Sequence, residues 1–341
     1  MSYSDNNYSK YLFNKIFIDF FVNFIIPTYK KMIVYLTQLK NMVRPIFSAA
    51  DQQTNYFRII VQSLVAKFQP LQIICFAKTS SITQSSGCFQ DQNNSYNCNY
   101  CLLMVTESNT RLDHEAQNFA NTHFQHGVIS ILCHGQESVL EAIKANNRFF
   151  ITIYNTGQLL YSQNGMAQFD FTPKFIPTQS AKKAQKHYSQ RMPVAEGFLR
   201  GAAECLAQMD YNVSTFMLHQ VVEQCCILLI GVHLAYRSEI HHLLRLLHLC
   251  SSFSERPIKT FLTGSTEDER LFAILMKSYS DSRYGSGFHV SEQDVRSLHH
   301  RVNTFVNLVK EMCTEKIAEM EHEVVLYQQA KAENVLEIAG M

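Results

Sequence analysis

The sequence has no surplus of either charge. Its 30 Lys and Arg stand against 29 Asp and Glu, a formal net charge of +1. No global basic excess advertises nucleic acid, so any such binding needs a local patch. A disulfide framework is missing too. The 10 cysteines do not follow the spacing of small secreted domains, and Cys75, Cys133, Cys225 and Cys226 fall in apolar runs. That is the usage of reduced core thiols in a cytosolic protein. Nor is there a long unbroken apolar run near the start. Lys15, Asp19 and Pro27 interrupt YLFNKIFIDFFVNFIIPTYKKMIVYL, leaving stretches far short of the ~20 residues that span a bilayer. The run also lacks the early basic region and small-residue cleavage site of a signal peptide. Residues 1–50 therefore read as a helical extension, a docking helix or sequence upstream of the domain proper, with no membrane association expected.

What is present is length and apolar content. A chain of 341 residues, 46% of them hydrophobic, implies a globular protein of two domains with additions. From 51 to 170 the pattern is mixed. YFRIIVQSLVAKF is an amphipathic helix, with Phe57, Ile60, Val61, Leu64, Val65 and Phe68 near 3.6 spacing, and Pro70 stops it. LQIICFA, NYCLLMV and GVISILC are short apolar strands, and DHEAQNFANTHF and ESVLEAIKANN are helices. The polar stretch from Thr79 to Asn97 reads as a loop, and FFITIYNTGQLLY as a hairpin or a strand with a turn at Asn155–Gly157. Such a mixture gives a small sheet with helices on a face.

PKFIPTQSAKKAQKHYSQRMP follows, with Lys174, Lys182, Lys183, Lys186 and Arg191, three prolines and no acid. It reads as a basic linker over 171–193; a solvated connection and a strip facing phosphate are both open. Beyond Pro193 the apolar stripes are all helical, the last carrying Val295, Leu298, Val302, Phe305, Val309 and Met312 behind a cap at Ser291 with Asp294. Residues 194–313 are expected to form an up-and-down helical bundle, and 314–341 a charged helical tail. The fold class is α+β: a mixed sheet with helices, then an all-α bundle.

Within the bundle, SYSDSRYGSGFHVSEQD sets Arg283 and His289 on either side of a Gly-Ser-Gly turn between two helices. A guanidinium and an imidazole held at such a junction are suited to gripping a phosphate and moving a proton. His219, Gln220 and Glu223 share one side of an earlier helix. They line a polar groove, or they form a buried network that fixes helix register. Cys98 and Cys101, with Cys88 upstream, have half the pattern of a zinc site. No second pair follows, and Cys101 is better used in the core; no metal is expected. His241, His242, His299 and His300 read as residues that cap or cover helices.

The bundle resembles the HEPN family (higher eukaryotes and prokaryotes nucleotide-binding domain). The resemblance is carried by FLRGAAECLAQMDYNVSTFMLHQVVEQC, by the His241–His242 onset of a short helix, and by the Arg283–Tyr284 segment. It implies a bundle that pairs as a homodimer and binds nucleotide or RNA, with no cofactor. It further implies a cytoplasmic role among bacterial stress, defence or toxin–antitoxin functions. His219, Gln220, Glu223 and Tyr284 are then the candidate nucleotide contacts. Many relatives are metal-independent ribonucleases that use an arginine and a histidine four to six residues apart, the roles that fall here to Arg283 and His289. Active members carry a small polar residue after that arginine, where this chain has Tyr284. A non-catalytic interaction scaffold is the third possibility.

The preceding domain resembles a minimal nucleotidyltransferase of the DNA-polymerase-β superfamily in element order, not in active-site residues. Ala77 and Lys78 stand where that family has Gly-Ser, Asn99 and Cys101 where it has two aspartates, and Ser130 where a third carboxylate belongs. Two-metal phosphoryl transfer needs anionic oxygen ligands. A module without them is expected to be catalytically degenerate.

Overall fold

The computed structural model describes residues 52–87, 90–110, 112–165, 172–284 and 287–339, with the side chains of 52–53, 80–87, 90–97, 283–284 and 334–339 outside the description. The helical extension expected at 1–50 thus lies outside the described residues. The architecture is α+β, a four-stranded sheet with helices followed by a helical region.

Helix α1 (Gln52–Phe68) leads into a long antiparallel hairpin of β1 (Gln72–Gly87) and β2 (Gln90–Thr106). Helix α2 (Asp113–His123) crosses over to β3 (Gly127–Gly135), which pairs parallel to β2. Helices α3 (Gln136–Lys144) and α4 (Arg148–Thr156) return the chain to β4 (Gln158–Ser162) beside β1, giving the order β3-β2-β1-β4. Gly127 enters β3 at φ +141°, and a Cβ there would meet the Cys98 carbonyl at 2.0 Å, so only glycine fits.

Alternation along β2 explains how the sheet is covered. Tyr100, Leu102 and Met104 face one way and pack with α1 and α2 against Phe57, Ile60, Leu64 and Phe124. Leu103 and Val105 face the other way and join Phe149, Ile153 and the bundle in one continuous core. The outer edge of β3 is closed by side chains. Gln117 accepts from Ile131 N and donates to Ile129 O, Asp113 accepts from Cys133 N, and Arg245 donates to Ile131 O. An edge satisfied this way has few backbone groups left to recruit a foreign strand.

The bundle comprises α5 (Ser180–Ala207), α6 (Tyr211–Leu234), α7 (Leu243–Cys250), the single turn α8 (Arg256–Lys259), α9 (Thr266–Tyr284) and α10 (Glu292–Ala339). Among the described residues α6 is the one helix long and apolar enough to cross a membrane, and most of it is buried inside the protein. Its C-terminus is sealed from the sheet side. Arg148 of α4 donates to the carbonyls of Val232 (2.7 Å) and His233 (2.6 Å), beside Ala235 in the left-handed conformation. A guanidinium there satisfies orphan carbonyls and meets the negative end of the helix dipole.

Three sequence expectations are corrected. The segment Thr79–Asn97 is not a loop but the outer part of the β1–β2 hairpin, paired rung by rung from Thr79↔Asn99 to Gly87↔Gln90. Ladder bonds form between backbones whatever the side chains, so polar composition concealed the strands. The segment around FFITIYNTG is helix α4 before a short strand. Asn147 caps it by accepting from Phe149 N, and Phe149, Phe150, Ile153 and Tyr154 are buried at helical spacing. The linker reading of 171–193 fails from Ser180 onward, because α5 runs for 28 residues with Pro193 inside it. Ala184, Met192, Ala195 and Ala202 form its buried stripe, while Pro193 and Ser189 face solvent. The Ser189 carbonyl that proline leaves without a donor is thereby free to meet water. The charged tail is helical as expected, but it is a direct continuation of α10 rather than a separate element.

Candidate functional site

The end of the bundle where α6 begins brings together the pieces that the sequence singled out. Helix α9 approaches it: Ser278 Oγ lies 3.4 Å from Thr215 O, and the Tyr279 ring stacks on His219 with centroids 5.0 Å apart. Arg283 and Tyr284 are the last turn of α9, one turn beyond Tyr279. Their side chains lie outside the described residues.

Residues 287–290 then lead into α10. Asn212, in the first turn of α6, grips this stretch with both ends of its amide. Its Nδ2 donates to Phe288 O (2.7 Å), and its Oδ1 accepts from Val290 N (3.0 Å). Between those two bonds stands His289, whose side chain is exposed, while Val290 is 1% exposed and anchors the chain in the core. Ser291 caps α10 as expected, accepting from Asp294 N at 3.2 Å. Tyr211 and Glu292 are hydrogen-bonded; Arg296 first, then Tyr211, holds the Glu292 carboxyl below its ordinary range.

The second group lies deeper than a binding groove requires. His219 and Glu223 are 2% and 5% exposed. His219 Nδ1 is 3.3 Å from Gln220 Nε2 and 3.9 Å from Glu223 Oε2. Exposed His241 reaches in to Glu223 Oε1 at 2.9 Å. This is the buried polar network left open by the sequence, and it ties α6 to the start of α7. Only Gln220 and His241 extend toward the surface. Among the described residues Glu223 Oε2 has no hydrogen-bond partner, so within them the network retains one unsatisfied acceptor.

The sheet positions compared with nucleotidyltransferase carboxylates are also close together. Cys101 sits opposite Ala77 on β1 and opposite Ser130 on β3, and Asn99 sits opposite Thr79. Cys101 and Ser130 are 4% and 5% exposed. Helix α7 lies over this face: Cys101 Sγ is 3.8 Å from His248 O, and Arg245 Nη2 bonds Ile131 O at 2.9 Å. Burial pushes the Cys101 thiol up to about 12 and the His248 imidazole down to about 4, leaving both neutral near pH 7. Cys98 and Cys101, three residues apart on one strand, belong to opposite faces and do not converge on one ion; Cys88 lies outside the described residues. Among the described residues no group of three or more His, Cys, Asp or Glu is placed to hold a metal ion.

Asn212, Arg148 and Arg245 were not singled out by sequence reasoning. The partners of Asn212 lie 76 and 78 residues away, and no local pattern marks such a contact. The one available signal is the tyrosine–asparagine pair, Tyr211 and Asn212, at the start of α6.

Residues 188–312 match the HEPN domain family. The solved structures include one described as a nucleotidyltransferase-like protein from Exiguobacterium sibiricum 255-15. It is 11% identical over 79% of each chain, with a TM-score of 0.26, a likeness too loose to argue from. None of the curated proteins matches the chain.

Proposed function

We propose, starting from the HEPN domain at residues 188–312, that this protein binds nucleotide or RNA at the end of the bundle where α6 and α10 begin. The reading combines the sheet module (51–170), taken as a degenerate nucleotidyltransferase without catalytic metal, with a bundle ending near 313 that pairs with a second copy. The observation that supports it best is the convergence of three features there: the turn of α9 bearing Arg283, the loop bearing exposed His289, and the N-terminal turns of two helices. The first turn of α6 has no acidic residue and no side-chain cap, so its N–H groups can face an anion, and a guanidinium adds bidentate phosphate recognition. In this reading the buried His219–Glu223 pair shapes the wall, while Gln220 and Tyr284 are the residues nearer the ligand. Titrating labelled RNA, ATP and GTP against the protein tests it: saturable binding is expected, and its absence leaves only a scaffold role.

A second reading is favoured by the exposed and backbone-fixed His289: a metal-independent endoribonuclease. His289 takes the proton from a ribose 2′-OH or gives one to the departing 5′-oxygen, and Arg283 stabilises the charge gathering on the phosphate. The product is a 2′,3′-cyclic phosphate. Incubation with RNA in EDTA separates the readings. Cleavage by wild type and none by His289→Ala supports the nuclease; equal cleavage by both, or none by either, ends that idea and leaves binding standing.

A further inference from the structure

We propose that Asn212 is a positioning residue that fixes where the His289 imidazole stands. The proposal deepens the functional reading of His289 and rests on it for its consequence, though not for its geometry. Residue 289 lies between two backbone groups held by one side chain, Phe288 O at 2.7 Å and Val290 N at 3.0 Å. Tying the carbonyl before a residue and the N–H after it restrains that residue's backbone dihedrals from both sides. The direction of its Cβ is set with them.

The chemistry needs an amide. Asparagine offers a donor and an acceptor on one planar group; aspartate offers acceptors only, and alanine neither. Asn212 is also free for the task, since it is not the residue that caps α6 and its side chain has no partner on its own helix among the bonds described. Its own position is rigid, because Tyr211 beside it is tied to Glu292 and Ser214 Oγ in the next turn donates to Ala202 O at 2.8 Å. On the far side Val290 is buried and Ser291 caps α10. On the near side Phe288 is half-buried and packs against the same core. With a packed side chain on each side, the amide of Asn212 fixes the backbone between them, where exposed His289 stands.

Four proteins test this: wild type, Asn212→Ala, Asn212→Asp and His289→Ala. Each is assayed for RNA cleavage in EDTA and for hydrogen exchange at the Val290 amide. Asn212→Ala is expected to lower kcat on the order of 10- to 100-fold, as misplacement of a reacting group does, with KM nearly unchanged and Val290 exchanging faster. Asn212→Asp keeps the acceptor for Val290 N–H and loses the donor to Phe288 O. It should exchange slowly at Val290 yet cleave poorly, and it carries the test if the alanine variant fails to fold. Cleavage by Asn212→Ala at the wild-type rate overturns the proposal. If wild type leaves RNA intact, the nuclease reading fails, and the clamp is judged on exchange and the His289 imidazole resonance alone. Faster exchange with a broadened resonance in Asn212→Ala then upholds it, and no change in either overturns it.

Discussion

At the scale of single residues, the most consequential contacts are those that tie groups far apart in sequence. Arg148 is the clearest outside the candidate site: one guanidinium from the sheet module serves two carbonyls that end α6. Removing it leaves those carbonyls facing apolar surroundings, so Arg148→Ala should lose about 1.5–3 kcal/mol, read as a lower urea midpoint. Arg148→Lys, which retains the charge but not the fork, should recover part of the loss. The spacing of Arg283 and His289 and the cap at Ser291 were legible because each is a local pattern. Asn212 and Arg148 were not, since an asparagine or arginine looks the same in sequence whether it meets water or grips a backbone dozens of residues away. The grouping of His219, Gln220 and Glu223 was legible as well. Their depth was not, because helical spacing assigns a face without saying what packs on it.

At the scale of elements, apolar periodicity located the helices and the inner strands well. It failed where composition and packing pointed in different directions. The lysines and prolines of 171–193 suggested a connection, yet a buried stripe through Ala184, Met192 and Ala195 makes most of it helix α5. The serine- and asparagine-rich hairpin arms were hidden for the opposite reason, since backbone pairing does not require apolar side chains. Helix α10 shows both behaviours along its length. Up to Met320, 1% exposed, its stripe is packed on the bundle; from Glu321 to Glu333 the side chains are mostly exposed. Met320→Ala should therefore cost about 2–5 kcal/mol as a core truncation. Leu326→Ala, at a side chain 51% exposed, should change stability by no more than about 0.5 kcal/mol, as for surface changes away from the core. Thermal melts of the two variants check the contrast, and equal losses would show that the exposed turns carry packing of their own.

At the scale of the whole molecule, the sheet and the bundle share one core, with Leu103, Phe149 and Ile153 in the same cluster as Leu218 and Phe305. This junction contains neutral histidines. Burial holds His233 and His248 down to about 4, against an ordinary value of 6.5. The unfolded chain thus binds protons more readily than the fold between those values. The associated stability is complete above about pH 6.5 and drains as pH falls toward 4, by about 1.4 kcal/mol per pH unit for each group. The melting temperature should fall steadily through that window, and His233→Phe, which keeps a ring beside Phe253, should flatten the fall. A profile flat from pH 7 to 4 would contradict it.

In the function proposed above, the end of the bundle where α6 and α10 begin recognises a phosphate-bearing ligand. The most direct measurement is fluorescence anisotropy of a labelled single-stranded RNA titrated in EDTA with wild type and Arg283→Ala at two salt concentrations. Saturable, salt-sensitive binding by wild type, weakened about tenfold or more by the substitution, is the result expected. No saturable binding, or identical curves for the two proteins, would contradict the account.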